Sequence, residues 1–159
     1  MLDKNQIVEK LIFIYKEESE KLNQIIQDSK KYINESDMKQ EGKYDTRAIE
    51  AGYLAGAQRK RLAEIKIDIA LLEKIQIVNN KQRVVVSSIV HCLINNEKED
   101  MFFISPSTGG INLQFGENSV HIVSQKSPLG EAILSMENGD YFEVESPKGE
   151  IEYQILDLF

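Results

Sequence analysis

The 159-residue chain has no tryptophan, one cysteine, no apolar run of membrane-spanning length, and fewer basic than acidic side chains. Each shortage removes a class of function. Cys92 alone can form neither an intramolecular disulfide nor a cysteine-rich zinc centre, which fits a reducing compartment. No stretch approaches the roughly 18 to 20 apolar residues of a membrane span. The opening residues, Met1 to Glu9, carry acids and lack the apolar core of a signal peptide. A soluble, cytoplasmic protein with no membrane partner is expected. The net charge of -7 and a pI near 5.0 exclude a general nucleic-acid coat, because phosphate binding requires a concentrated positive surface. Any contact with RNA must be local or indirect.

What the chain does have is helical periodicity. From residue 3 to 76 two helix-length apolar stripes mirror each other across a polar break rich in acids. The first runs Ile7, Leu11, Ile14, Glu18, Leu22, Ile25, Ser29, Tyr32, and this spacing of three and four keeps one face toward a partner helix. The second runs Ala48, Ala51, Ala55, Gln58, Leu62, Ile65, Ile69, Leu72, Ile75, with small residues toward the break that let two helices approach closely. The pattern predicts an antiparallel coiled-coil hairpin over residues 1–78. An arm of about 30 residues reaches roughly 45 Å, so the hairpin reads as a probe or a dimerisation arm.

The character changes at Asn79 and Asn80, and residues 79–159 read as a second unit made mostly of strands. Val84 to Leu93 is rich in β-branched residues, Met101 to Ile104 is a short apolar run, and Ser119 to Ser124 alternates. Pro106, Gly109, Gly110 and the stretch Phe115 to Asn118 punctuate them. Ser127 and Pro128 have the form of a helix start, ahead of a short apolar helix with Leu129, Ala132, Ile133 and Met136 that ends at Asn138 and Gly139. Tyr141 to Glu145 and Glu150 to Leu158 alternate around Pro147, Lys148 and Gly149, the pattern of a closing hairpin. The fold class is α+β: a helical hairpin, then a small antiparallel sheet with one helix.

The run Ser127, Pro128, Leu129, Gly130, Glu131, Ala132, Ile133, Leu134, then Gly139 and Asp140, then the strand Glu152 to Leu156, resembles the C-terminal domain of the bacterial Gre transcript-cleavage factors. The upstream hairpin fits that family's layout, and Asp37, Met38, Lys39 and Tyr44 resemble its tip. The resemblance implies a coiled-coil hairpin joined to a globular domain similar to FK506-binding proteins. It further implies a factor that is not itself an enzyme. Such a factor binds RNA polymerase with its globular domain and passes its hairpin through the secondary channel. Its tip acids come to the catalytic magnesium and stimulate the polymerase's own cleavage of backtracked transcript. The chain then needs no cofactor of its own, shares the polymerase's magnesium, and meets nascent RNA only indirectly. Carboxylates suit that task because magnesium prefers hard oxygen ligands.

Carried over to this sequence, the tip acids are Asp37 and Glu41, as catalytic groups and metal ligands within the polymerase, and the docking loop is Ser127, Pro128, Leu129 and Gly130. The tip departs from the family's D-x-x-E pattern: Asp37 holds the first acidic position, Gln40 the second, and Glu41 is the nearest acid. An amide oxygen can ligate a metal but supplies no charge. A one-residue shift, with Gly42 giving backbone freedom, brings Glu41 into the role. The plain reading is that Glu35, Asp37, Glu41 and Asp45 are the solvated end of a hairpin.

Other residues read as structural. Arg59, Lys60 and Arg61 point in different directions around a helix and are expected as solvated side chains flanking the seam. His91 and His121 have no second ligand at metal spacing. Cys92 is a buried thiol. Gly52 and Gly56 cost helix stability, which points either to a narrow arm suited to a confined channel or to room for Tyr44 and Tyr53. Three alternatives stand beside the cleavage factor. One is a Gre-like regulator that blocks or tunes the channel without promoting cleavage. Another is a peptidyl-prolyl isomerase, disfavoured because the segment is short and has no tryptophan, whereas such enzymes line a pocket with several aromatics. The third is an adaptor that dimerises through its arms, whereas an intramolecular hairpin predicts a monomer.

Overall fold

The computed structural model describes residues 2–38 and 46–159, without the side chains of residues 32, 33, 35–38 and 48. Helix α1 spans Lys4–Met38 and α2 spans Thr46–Glu73. Asp3 starts α1: its Oδ1 accepts the Asn5 backbone N–H at 2.9 Å and its carbonyl accepts from Ile7, which satisfies donors that the first helical turn leaves open. The chain divides into two compact units, residues 10–70 and residues 1–9 with 71–159.

The first unit is the helical hairpin. Leu11, Tyr15, Leu22 and Ile26 of α1 are buried, as are Ala55, Leu62 and Ile65 of α2. On α2 this is the face expected from the sequence. On α1 the seam is rotated: Ile14 is only half-buried while Tyr15 is buried, and Ile25 is exposed while Ile26 is buried. Both sites offer adjacent apolar residues, and a straight helix of 3.6 residues per turn drifts from a 3.5 repeat, so the register chooses the later member each time. Glu18 stays on the seam and binds Arg61 across it.

The second unit is a six-stranded sheet with one helix: β1 Ile89–Ile94, β2 Lys98–Ser105, β3 Asn112–Phe115, β4 Asn118–Ser124, α3 Pro128–Ile133, β5 Tyr141–Ser146 and β6 Gly149–Leu158. The spatial order is β3-β4-β2-β1-β6-β5. Four of the five pairings are antiparallel as expected. The fifth, β2 with β4, is parallel, so the sheet is mixed. The parallel pairing follows from β3, a short edge strand the sequence did not declare, which reverses the chain between β2 and β4 through an antiparallel pair with β4.

One face of the sheet carries Val90, Cys92, Phe102, Ile104, Val123, Phe142, Tyr153 and Ile155, and Ile133, Leu129 and Ala132 of α3 pack on it. Tyr153 stacks on Phe142 with ring centroids 5.2 Å apart and meets Phe102 edge-on at 6.1 Å, an arrangement aromatic quadrupoles favour. The segment expected as one strand from Val84 is broken by a turn. Ser87 has φ +78°, its hydroxyl accepts from Val78 N–H, and its amide donates to Ile104. These bonds hold the only positive-φ residue in that turn.

Candidate functional site

Two groups of residues were assigned function from the sequence. Of the tip acids, Asp37 lies in the last turn of α1 with its side chain outside the described residues, and Glu41, with Gln40, lies wholly outside them. Among the described residues no group of three or more His, Cys, Asp or Glu is arranged to hold a metal ion.

The docking loop is fully described, and its motif has a local physical origin. Ser127 caps α3: its Oγ accepts the Gly130 N–H at 3.1 Å and donates to the Ser124 carbonyl at 2.8 Å, so both hydrogen-bonding roles of the hydroxyl are used internally. Pro128 takes the first helical position, where no N–H is needed. Leu129 joins the sheet's core cluster. Gly130 is buried, and a Cβ there would collide with the Ser124 carbonyl oxygen and stand 2.9 Å from the Gln125 Cα. Gly109 also approaches Ser124, and a Cβ there would lie 2.9 Å from the Ser124 amide nitrogen. Gln125 is tied to Ser105 and Pro106 by its amide and side chain. Ser127, Leu129 and Gly130 therefore shape the loop, and Pro128 with Lys126 and Glu131 is what the loop exposes.

Beside the loop, residues 109–112, His121 to Ser124, Ser127 and Leu129 line an open groove of about 400 Å³. His121 leads from it to a charged cluster absent from the sequence reading. Asp100 sits between Lys98 Nζ at 2.7 Å and His121 Nε2 at 3.5 Å. On the opposite face His91 Nε2 meets Glu99 Oε2 at 2.9 Å. Each histidine thus has one carboxylate neighbour and no ligand set. The only warning of these pairs was the alternation of adjacent acids Glu99 and Asp100 to opposite faces of one strand, which identifies no partner. Cys92 is fully buried, and burial pushes its thiol up to about 12, the inert state expected for it.

The basic triplet on α2 separates as expected for two of its members. Arg59 and Lys60 are exposed. Arg61 donates from Nε and Nη2 to the two Glu18 oxygens at 3.0 and 3.4 Å. That hydrogen bond raises the Arg61 pKa.

The mixed sheet, with a glycine that must pack against a strand end at the start of α3, lies within the residues that a family model matches. The family model described as "Transcription elongation factor, GreA/GreB, C-term" matches residues 78–158. The chain belongs to the GreA/GreB family of transcription elongation factors. Transcription elongation factor GreA of Yersinia pestis bv. Antiqua (strain Angola) is 27% identical over 137 residues, covering 84% of this chain and 80% of that protein. GreA of Ruthia magnifica subsp. Calyptogena magnifica is 23% identical over 124 residues, 77% of this chain and 73% of its own. Of solved structures, Gfh1 of Thermus aquaticus aligns at 22% identity with a TM-score of 0.41, covering 94% of this chain and 92% of that one. No helix among the described residues of this Gre-family chain is long and apolar enough to cross a membrane.

Proposed function

We propose that the chain acts on RNA polymerase as a transcript-cleavage factor, its hairpin entering the secondary channel and its sheet domain docking outside through the Pro128 loop. The observation that carries the reading is the match of residues 78–158 to the GreA/GreB C-terminal domain downstream of a two-helix hairpin whose connection holds acids.

Asp37 and Glu41 have the right donor chemistry for magnesium, since both are carboxylates and magnesium takes hard oxygens. Two carboxylates do not fill its octahedral shell, and in this reading the polymerase and its substrate supply the remaining ligands. A magnesium ion held there supplies Lewis acidity and an activated water for phosphodiester hydrolysis. The chain's own part is to position two negative charges and to order the water by hydrogen bonding. With Gln40 between them, Glu41 must provide the second charge.

The test is addition of the protein to stalled, backtracked elongation complexes of its own polymerase with magnesium. Release of short 3′ RNA fragments by the wild type and its loss in an Asp37→Ala, Glu41→Ala variant supports the reading. Binding without fragments at any magnesium concentration removes it.

A further inference from the structure

Helix α2 has two apolar faces, and only one is used by its own hairpin. The seam toward α1 includes Ala55, Leu62 and Ile65. The outer face runs Ile49, Tyr53, Gly56, Lys60, Ala63, Ile67, Ala70, with spacings of four and three in strict alternation. That is the 3.5-residue repeat of a coiled-coil seam. Among the described residues nothing covers it: Ile49 is 52%, Tyr53 79% and Ile67 60% exposed. Ile49, Gly52, Tyr53, Gly56 and Ala57 line a shallow groove of about 530 Å³ there. A Cβ added at Gly52 or Gly56 meets no atom within 4 Å, so no described contact requires either glycine, although each costs the helix about 1 kcal/mol relative to alanine.

We propose that this outer face of α2 is a self-association surface, on which α2 of a second copy of the chain lies antiparallel. The occupant follows from complementarity of size and charge. A two-fold axis at the level of residues 61 and 62 sets Tyr53 against the partner's Ala70, Gly56 against the partner's Ile67, and Lys60 against the partner's Ala63. Each of these layers pairs a large side chain with a small one, the alternation that lets facing helices interdigitate. Gly56 becomes the hole for an isoleucine knob, which gives the glycine a packing role that its own chain does not.

Charge selects the direction. The antiparallel arrangement lays Lys60 beside the partner's Glu64, and symmetry repeats the pair, whereas a parallel arrangement stacks Lys60 on the partner's Lys60. Lys60 is exposed, and among the described residues Glu64 makes a 3.8 Å contact with Arg61 while its side chain stays half exposed, so both can turn to a neighbour. Arg59 falls on the same flank as the partner's Lys66, a like-charge contact that keeps the pairing weak. The intramolecular hairpin alone predicts a monomer, and the second seam adds a concentration-dependent dimer to it.

Sedimentation equilibrium of the full chain over roughly 5 to 500 µM tests this, because a weak homodimer responds to mass action. The wild type is expected to rise from 18.2 kDa toward twice that mass. Ile67→Glu, at a site exposed in the single chain, is expected to hold the monomer mass with unchanged circular dichroism. Lys60→Glu and Glu64→Lys should each weaken association about 5-fold, as loss of a cross-interface ion pair does, and the double reversal should recover wild-type behaviour. A wild type that stays at 18.2 kDa throughout, an Ile67→Glu variant that associates normally, or a double reversal that fails to recover would each overturn the proposal.

Discussion

Arg61 of α2 grips Glu18 of α1 with two nitrogens, Nε at 3.0 Å from Oε1 and Nη2 at 3.4 Å from Oε2. The pair is a polar register pin of the hairpin, four residues from Leu22 on one arm and one from Leu62 on the other. Both side chains are about two-fifths exposed, so solvent screening limits its worth to about 0.5–1 kcal/mol. Glu18→Gln should lower hairpin stability by that amount in urea unfolding, with the loss shrinking as salt is raised. A loss independent of salt would mean that packing of the Arg61 stem, not charge, holds the seam.

Gly130 is fixed by contact and not by conformation. Gly130→Ala drives a methyl group into the Ser124 carbonyl and the Gln125 Cα, backbone atoms that cannot swing away, and should cost about 2–3 kcal/mol as overpacking does. Ser127→Ala should cost about 1 kcal/mol through loss of the cap. Chemical denaturation of the two variants checks both values.

Pro128 separates docking from folding. It is exposed at the start of α3, so Pro128→Ala should leave unfolding within about 0.5 kcal/mol of wild type while weakening capture by RNA polymerase several-fold. Equal affinity in a pull-down titration would move the docking surface away from this loop.

Cys92 sets an alkaline limit. Its thiol ionises near the ordinary cysteine value of 9.0 when unfolded but is pushed up to about 12 in the folded protein by burial. Between those values the unfolded chain has lost a proton that the folded chain keeps, so stability falls as pH rises, by up to about 1.4 kcal/mol per pH unit for this one group. Cys92→Ala should flatten that decline between pH 9 and 11, at the expense of a small cavity. Unfolding midpoints at a series of pH values show it directly.

How far the sequence could be read depended on how local each signal was. The face of α2 through Ala55, Leu62 and Ile65 was legible from its helical spacing, although Leu54 beside Ala55 is apolar too and lies exposed. On α1 the pairs Ile14 with Tyr15 and Ile25 with Ile26 offered two, and only packing against the other arm decided between them. The closing hairpin of β5 and β6 was marked by Pro147 and Gly149, whose φ of +117° needs a glycine. Strand β3, Asn112–Phe115, was missed because a four-residue edge strand with Asn and Gln has little hydrophobic pattern. The parallel pairing of β2 and β4 is a non-local choice that neither strand declares. At the candidate site, Ser127 to Gly130 carried a motif whose cause is now structural. The pairing of Asp100 with His121 could not be read, because the two are joined by register across β2 and β4.

The most direct test of the proposed role is the magnesium dependence of 3′ fragment release from backtracked complexes, comparing wild type, Glu41→Gln and Gln40→Glu. If Glu41 supplies the second charge, Glu41→Gln should cut the rate at least 10-fold at limiting magnesium, a loss of about 1.4 kcal/mol or more, with half-saturation moved to higher magnesium. Gln40→Glu should hold or raise the rate by restoring an acid at the family's position. A Glu41→Gln variant indistinguishable from wild type, with polymerase binding intact, would contradict it.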